Sequence, residues 1–178
     1  MATKIIKKVS VFLILLTLTA CPSLDPCVAS GGSTITKPDL ITIYPLQDNY
    51  SIGDEIIISI SLASEQSFPN ETIDIYQKTH IENEKLQNIE LHKIIEHNTF
   101  TILEGNYENY IPILYYYSSE NEYRFKIKIK LNQSGNYSIY ADAEIYFKDP
   151  NDDCISYGIN TNIEGINDET RNIEFIVE

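Results

Sequence analysis

Positive charge is scarce in this sequence. Its 178 residues include 13 Lys and Arg against 26 Asp and Glu, which gives a formal net charge of −13 at pH 7. A surface of this sign repels the phosphates of nucleic acid and the headgroups of anionic lipids. No cluster of basic residues reverses the balance, so we expect no nucleic-acid partner.

Long hydrophobic runs are also missing. The longest uncharged apolar stretch covers residues 9–20, whereas a membrane-spanning helix needs about 20 residues. Lys4, Lys7 and Lys8 precede this stretch, and a positive segment followed by a short apolar one is typical of a secretory signal. We therefore predict an export signal; the alternative is a buried N-terminal strand or helix.

Residues that commonly carry out catalysis are few. The three histidines are His80, His92 and His97, and His92 and His97 fall on opposite faces of a predicted strand, which is poor geometry for a single metal ion. No G-x-S-x-G nucleophile motif occurs, and no spacing singles out a carboxylate pair for sugar hydrolysis. We expect a protein without enzymatic activity and without a cofactor.

Cysteine occurs three times, at positions 21, 27 and 154. Leu18 to Cys21, directly after the apolar stretch, resembles the lipobox of bacterial lipoproteins, which has the form Leu-small-small-Cys. The resemblance implies that residues 1–20 are a lipoprotein signal peptide and that Cys21 becomes the acylated first residue of the mature chain, carrying fatty acids such as palmitate. The alternative is an ordinary signal-peptidase site, with Cys21 a bystander or a disulfide partner.

The lipobox resemblance also implies a location. We expect an exported protein that is lipid-anchored at the cell envelope and contacts the membrane through its acyl chains. Pro22 follows the modified cysteine, in place of the Asp that commonly retains Gram-negative lipoproteins at the inner membrane. In a Gram-negative cell the expected destination is therefore the outer membrane.

Two cysteines remain if Cys21 is acylated. Cys27 and Cys154 would meet an oxidising compartment, so we predict a disulfide between them. The bridge would close a loop of more than 100 residues, which contributes about 5 kcal/mol to stability in the chain-entropy model. The alternative is a pair of unpaired thiols.

The amino-acid composition of the sequence changes near residue 39. Residues 21–38 are rich in Pro, Ser, Gly and Thr and predict a flexible tether after the lipidated N-terminus. Residues 39–178 consist of short runs of Ile, Tyr, Val and Phe separated by turn residues, and the chain contains 13 Tyr. This composition predicts an all-β domain.

Strict alternation of apolar and polar residues identifies the clearest strand, Glu122–Leu131, in which Tyr123 to Leu131 face one way and Arg124 to Lys130 the other. A second alternating strand covers 137–147 after a turn at "NQSG". Further strands are predicted at 40–44, 55–62, 72–77, 88–95, 100–103, 111–117, 154–161 and 172–177. Residues 80–88 form the only polar stretch long enough for a helical turn.

Two segments resemble bacterial immunoglobulin-like domains. "YSIGDEIIISISL" (50–62) is similar to their second strand, and "LNQSGNYSIYA" (131–141) is similar to their tyrosine corner, with Tyr137 near the strand start. The resemblance implies an antiparallel immunoglobulin-like sandwich. The sequence departs from the family in lacking tryptophan and a cysteine pair at the inter-sheet spacing.

A simple hairpin across 132–136 competes with the tyrosine corner. The hairpin would place Lys126 opposite Asp142 and Arg124 opposite Glu144. In the corner, the two strands lie in different sheets and these pairs do not meet. We favour the corner.

The loop "KDPNDDC" concentrates oxygen ligands. Its candidate calcium ligands are Asp149, Asn151, Asp152 and Asp153, since Ca²⁺ takes six to eight oxygens. The loop lacks the Gly and terminal Glu of an EF-hand, and a solvated turn is the simpler interpretation. A second acidic loop contains Glu164, Asp168 and Glu169.

Tyr115-Tyr116-Tyr117 is the most aromatic triplet. Tyr115 and Tyr117 share one face of the predicted strand and are candidates for stacking on a sugar or a peptide; the alternative is ordinary strand packing. The basic row of residues 124–130 is interpreted as a solvated face or as protection of a sheet edge.

These observations predict a non-enzymatic, membrane-anchored envelope lipoprotein whose β-sandwich mediates or supports contacts with another envelope protein. The alternative is an extracellular glycan- or ligand-binding module that uses exposed tyrosines. An immunoglobulin-like fold by itself does not decide between them, because it hosts many unrelated functions.

Overall fold

The computed structural model describes residues 32–178, and this part of the chain is built almost entirely of β-strands. The strands are β1 (Ser33–Thr36), β2 (Ile41–Tyr44), β3 (Asn49–Tyr50), β4 (Glu55–Ala63), β5 (Glu65–Ser67), β6 (Thr72–Asp74), β7 (Asn83–Ile89), β8 (Thr99–Glu104), β9 (Asn106–Glu108), β10 (Ile111–Tyr117), β11 (Glu122–Lys130), β12 (Gly135–Asp149), β13 (Asp152–Thr161) and β14 (Asn172–Val177). Two short helices are α1 (Ile75–Thr79) and α2 (His92–Ile95). The all-β class is confirmed.

Within the described residues, no helix has the length and apolar character needed to cross a membrane.

Twelve of the strands form one curled sheet. Its main path runs β1-β13-β12-β7-β10-β11-β4-β2, with β14, β3, β8 and β9 attached to strands of this path, while β5 and β6 form a separate two-stranded sheet. Two pairings are parallel, β1 with β13 and β3 with β14. The expectation of a purely antiparallel sheet is wrong at these two places. Long stretches of chain separate both pairs, so no tight turn imposes antiparallel pairing on them.

Alternation along β11 and β12 builds the core. The inward side chains of β11, Tyr123 to Leu131 at every second position, are fully buried, and so are those of β12 from Ile139 to Phe147. The rings of Tyr123 and Phe147 have centroids 4.9 Å apart. The curl of the sheet therefore brings the inner faces of β11 and β12 together across the core.

The hairpin between β11 and β12, the alternative to the favoured tyrosine corner, does not form. β11 pairs with β4 on one side and with β10 and β8 on the other, so Lys126 lies opposite Ser59 rather than Asp142. At the start of β12 the Tyr137 hydroxyl donates a hydrogen bond of 2.9 Å to the carbonyl of Gln133, the bond that defines a tyrosine corner. The two strands nevertheless belong to one continuous sheet, separated by β7 and β10.

Three segments differ from the sequence-based assignment. Ser33–Thr36, assigned to the flexible tether, forms β1, so the folded part begins before residue 39. The predicted strand 72–77 ends at Asp74, whose side chain accepts a hydrogen bond from the Gln77 amide and starts α1. Residues 80–88, the candidate helical stretch, largely form β7.

The predicted strand 88–95 is also wrong over most of its length. β7 ends at Ile89, after Asn88 with φ +57°, and His92–Ile95 is helical. Leu91, Ile94 and Ile95 are all buried. Their spacing of three and four residues matches the helical period rather than the period of two that a strand requires.

Candidate functional site

The tyrosine triplet lies in β10, where the three rings have different environments. Tyr115 is 39% exposed on the outer face, and Tyr116 and Tyr117 are half-buried. Alternation along the strand turns Tyr116 to the opposite face. There its ring stacks on Tyr76 of α1, with centroids 3.8 Å apart and planes inclined by 10°.

Tyr116 also connects the surface to the core. Its ring lies 5.2 Å from that of Tyr123, which in turn contacts Phe147. Aromatic pairs at these separations are favourable beyond their buried area. The four rings therefore fix the position of α1 relative to the inner face of β10 and to the core.

A hydrogen-bond network holds the same region together. The Tyr116 hydroxyl donates to Asn121 Oδ1 (2.6 Å), and the Asn121 amide donates to Asp74 Oδ2 (3.1 Å). Asp74 Oδ1 also accepts from the Ser64 hydroxyl (2.7 Å) and the Gln77 amide (3.0 Å). Burial raises the pKa of Asp74, but these hydrogen bonds together outweigh burial and hold the pKa below its ordinary value. Burial raises the pKa of Tyr116.

Next to this network lies an open depression of about 430 Å³, which we call the tyrosine groove. It is lined by Tyr76, Glu82, Asn83, Tyr115, Tyr116 and Ser118. Asn83 lies directly opposite Tyr115 on the paired strand β7. The Tyr116 amide donates to the Glu82 carbonyl (2.8 Å), which fixes the backbone before β7.

Tyr117 does not line the groove, although it was predicted to act with Tyr115. Its hydroxyl accepts a hydrogen bond from the Gly105 amide (3.3 Å), and the Arg124 guanidinium lies over its ring at 5.6 Å. Arg124 is also paired with Glu122 (3.0 Å). The ring face and hydroxyl of Tyr117 are therefore engaged within the domain, and Tyr115 is the stacking candidate that lines the groove.

The acidic loop after β12 is held by bonds of its own. Asp149 is buried and lies 3.5 Å from Lys78, and its Oδ1 accepts from the Asn151 amide. The Asn151 amide first, and Lys78 in addition, hold the pKa of Asp149 below its ordinary value. Asp152 Oδ1 accepts from the Cys154 amide.

Among the side chains that the structure describes, no group of three or more His, Cys, Asp or Glu is arranged to hold a metal ion. Asp149 and Asp152 therefore belong to no such group, and neither do the residues of the second acidic loop; the side chain of Asp153 lies outside the described part of the chain. The histidines form no such group either, and His80 lies edge-on to the Tyr76 ring and His92 to the Tyr110 ring. The loop around Asp149 is a hydrogen-bonded turn in the structure.

The basic row of β11 lies on the outer face of an interior strand. β11 has strands on both sides, so the interpretation of the row as protection of a sheet edge is wrong. Lys128 pairs with Glu55 at 3.3 Å and Arg124 with Glu122. Lys126 and Lys130 form no ion pair within the part of the chain that the structure describes, which fits a solvated face.

Cys154 is disulfide-bonded. Cys21 and Cys27 both lie outside the described residues, so acylation of Cys21 and the pairing of Cys27 with Cys154 stay predictions. The same holds for the signal peptide over residues 1–20.

Sequence reasoning missed Tyr76, Glu82 and Asn83 as groove residues. Tyr76 was assigned to a strand, although Asp74 and Gln77 have the spacing of a helix-capping box. That signal predicts the start of α1 and turns Tyr76 toward β10. Comparison of the chain with protein-family models, with curated proteins and with solved structures gives no match.

Proposed function

We propose that this protein is an exported envelope lipoprotein without enzymatic activity, whose β domain binds an extracellular ligand in the tyrosine groove. The observation that supports this most is the set of unused groups in the groove. The side chains of Tyr115, Glu82, Asn83 and Ser118 make no hydrogen bond or ion pair within the described residues. Ligand sites combine an apolar surface with a few polar groups that are available to the ligand.

The anchor belongs to the same proposal. The lipobox resemblance of Leu18 to Cys21 supports acylation of Cys21, and several acyl chains, at about 0.8 kcal/mol per buried CH₂, would hold the domain firmly at a membrane. In a Gram-negative cell we propose the outer membrane, since Pro22 follows the cysteine.

We also propose that the curled sheet is an elaborated immunoglobulin-like sandwich. Its support is the tyrosine-corner bond from Tyr137 to Gln133 and the contact of Tyr123 with Phe147 between facing parts of the sheet. The parallel pairings of β1 and β3 would then be additions to the sandwich.

Ligand binding is tested by tyrosine fluorescence of the mature protein during titration with separated glycan and protein fractions of the envelope. We expect one fraction to change the fluorescence of the wild type and of Tyr44→Ala but not that of Tyr115→Ala. Tyr44 is a suitable control because it is 74% exposed and does not line the groove. If the fluorescence of the wild type and of both variants changed equally, the ligand would not bind in the tyrosine groove.

The anchor is tested by metabolic labelling with radioactive palmitate. We expect Cys21→Ser to abolish labelling and Cys27→Ser to leave it unchanged. Label retained in Cys21→Ser would refute the lipobox assignment.

Contacts with another envelope protein remain a second candidate function. Its support is the pair of exposed apolar side chains on β8, Phe100 (44% exposed) and Leu103 (47%). Large contiguous patches of exposed apolar surface mark sites of protein contact, and these two side chains would belong to such a patch. In this case Phe100→Ser would weaken capture of the partner, whereas Tyr115→Ala would not.

A further inference from the structure

We propose that the tyrosine groove binds a small saccharide that is neutral or carries an amine, with one sugar ring stacked on Tyr115 and its polar groups bound by Glu82, Asn83 and Ser118. This inference rests on the proposed ligand-binding function of the groove and adds the chemical class of the ligand.

The aromatic rings favour a flat partner. Tyr76 and Tyr116 stack on each other with nearly parallel planes, and Tyr116 packs against Tyr123 as well. Tyr115 remains as a single exposed ring. Cages for quaternary ammonium groups need several ring faces around one cation, whereas the C–H face of a sugar stacks on one ring.

The polar groups of the groove suit hydroxyl groups. Glu82 offers two acceptor oxygens, Asn83 offers both donors and an acceptor, and the hydroxyl of Ser118 offers either. Asn83 lies directly opposite Tyr115 on the neighbouring strand, so its side chain is on the same face of the sheet as the Tyr115 ring. A sugar hydroxyl both donates and accepts, and it can use all three partners.

Charge narrows the class of sugar. Glu82 places a carboxylate in the groove, and none of the residues that line the groove is Lys or Arg. Arg124, opposite Tyr115 on β11, is engaged by Glu122 at 3.0 Å and lies 3.9 Å from Glu120. The whole chain carries a net charge of −13. A uronic acid or a phosphorylated sugar would be repelled, while a protonated amine would be attracted to Glu82.

The size of the groove agrees with this class. A volume of about 430 Å³ lies within the range of about 300–1,000 Å³ for small-molecule sites. The groove is open to solvent, since Glu82, Asn83 and Ser118 are all exposed, so a longer glycan chain can leave it at the ends.

The experiment is a saturation-transfer NMR and tyrosine-fluorescence titration of the mature protein in a detergent without a sugar headgroup. The probes are glucosamine, N-acetylglucosamine, glucose and glucuronate. We expect binding of the first three, with glucosamine tightest, and no binding of glucuronate. Tyr115→Ala should weaken every sugar at least tenfold, and Tyr44→Ala should weaken none.

Glu82→Gln separates charge from stacking. We expect it to remove the preference for glucosamine over glucose. Tight binding of glucuronate, or an amine preference that survives in Glu82→Gln, would overturn the inference. Binding of peptides but no sugars, sensitive to Tyr115→Ala, would overturn the sugar class and leave the proposed function intact. Absence of any ligand sensitive to Tyr115→Ala would overturn both.

Discussion

Asp74 starts α1 and also joins it to β10. Its carboxylate caps the helix through the Gln77 amide, binds the Ser64 hydroxyl and accepts from Asn121, the partner of Tyr116. Loss of one carboxylate therefore loosens both the helix that carries Tyr76 and the strand that carries Tyr115.

Asp74→Ala should lower the free energy of unfolding at neutral pH by about 1 kcal/mol, the usual cost of losing a helix N-cap. Because the pKa of Asp74 is below its ordinary value in the folded protein, the unfolded chain binds the proton more tightly. The stabilisation is complete above the ordinary value of about 3.9 and is lost as pH falls through the lower folded pKa. Urea unfolding should therefore show a difference between wild type and variant that shrinks below about pH 4.

The control for this measurement is Asp168→Ala, since Asp168 is exposed and makes no hydrogen bond within the described residues. If Asp168→Ala lowered the free energy of unfolding as much as Asp74→Ala, the change in overall charge, and not the hydrogen bonds of Asp74, would account for the loss of stability.

Gly105 sits between β8 and β9 with φ +73°, a conformation that favours glycine. A Cβ there would collide with the carbonyl oxygen of Ile113 and lie 3.0 Å from that of Arg124. Gly53 also has a positive φ, +102°, but has open space around it. We expect Gly53→Ala to lower the free energy of unfolding by roughly 1 kcal/mol and Gly105→Ala by clearly more. If thermal or urea unfolding shows that Gly53→Ala and Gly105→Ala lose the same free energy of unfolding, the predicted collision at Gly105 does not destabilise the protein.

At the scale of elements, the position of β11 decides which charges meet. β11 pairs with β4 from end to end, which brings Lys128 to Glu55 and keeps Lys126 away from β12. A hairpin of β11 with β12 would instead join Lys126 to Asp142. The two topologies therefore predict different coupled pairs.

Double-mutant cycles can distinguish the two topologies, because they measure the coupling energy between two side chains. We expect a coupling energy of about 0.2–1 kcal/mol between Lys128 and Glu55, as for other exposed pairs, and none between Lys126 and Asp142. The alanine variants are compared by urea unfolding at low salt, where screening is weakest. A measurable coupling for Lys126 with Asp142 would contradict the strand order.

Some elements could be predicted from sequence and others could not. The strands β11 and β12 have a strict period of two and one buried face, so their bounds and inward residues follow from the pattern. α1 and α2 are only five and four residues long, too short for a helical period to stand out. β1 consists of "STIT" and pairs with residues more than 120 positions later, a partner that no local pattern identifies.

In the tyrosine groove, too, some residues could be predicted from the sequence and others could not. Tyr115 was identified because it belongs to the most aromatic triplet of the sequence, in which positions 115 and 117 share one face of a strand. Tyr76 and Glu82 come from α1 and from the segment before β7, and only the tertiary stack of Tyr76 on Tyr116 brings them to the same place. Long-range contacts of this kind are absent from a single sequence.

At the scale of the whole molecule, the acidic charge and the proposed anchor have complementary effects. Removal of residues 1–20 takes away three Lys and no acidic residue, so 10 basic and 26 acidic residues would leave the mature chain with a net charge of −16. This charge repels anionic headgroups, so the domain would stand away from the membrane while the proposed lipid on Cys21 holds the chain. Gly32, the first described residue, packs against Ser156 near the start of β13, and β1 continues parallel to that strand. The chain therefore enters the domain at the end of β13 that carries Cys154.

This entry point favours Cys27 over Cys21 as the partner of Cys154, because Cys27 is nearer to Gly32 along the chain. We expect reduction to add the mass of two hydrogens to the intact mature protein and to its Cys21→Ser variant, but not to Cys27→Ser. Loss of the bridge in Cys27→Ser should lower the free energy of unfolding by about 2–5 kcal/mol, measured in urea without reductant. A Cys21→Ser protein that has lost the bridge would reverse the two assignments, because Cys21 would then be the disulfide partner and unavailable for acylation.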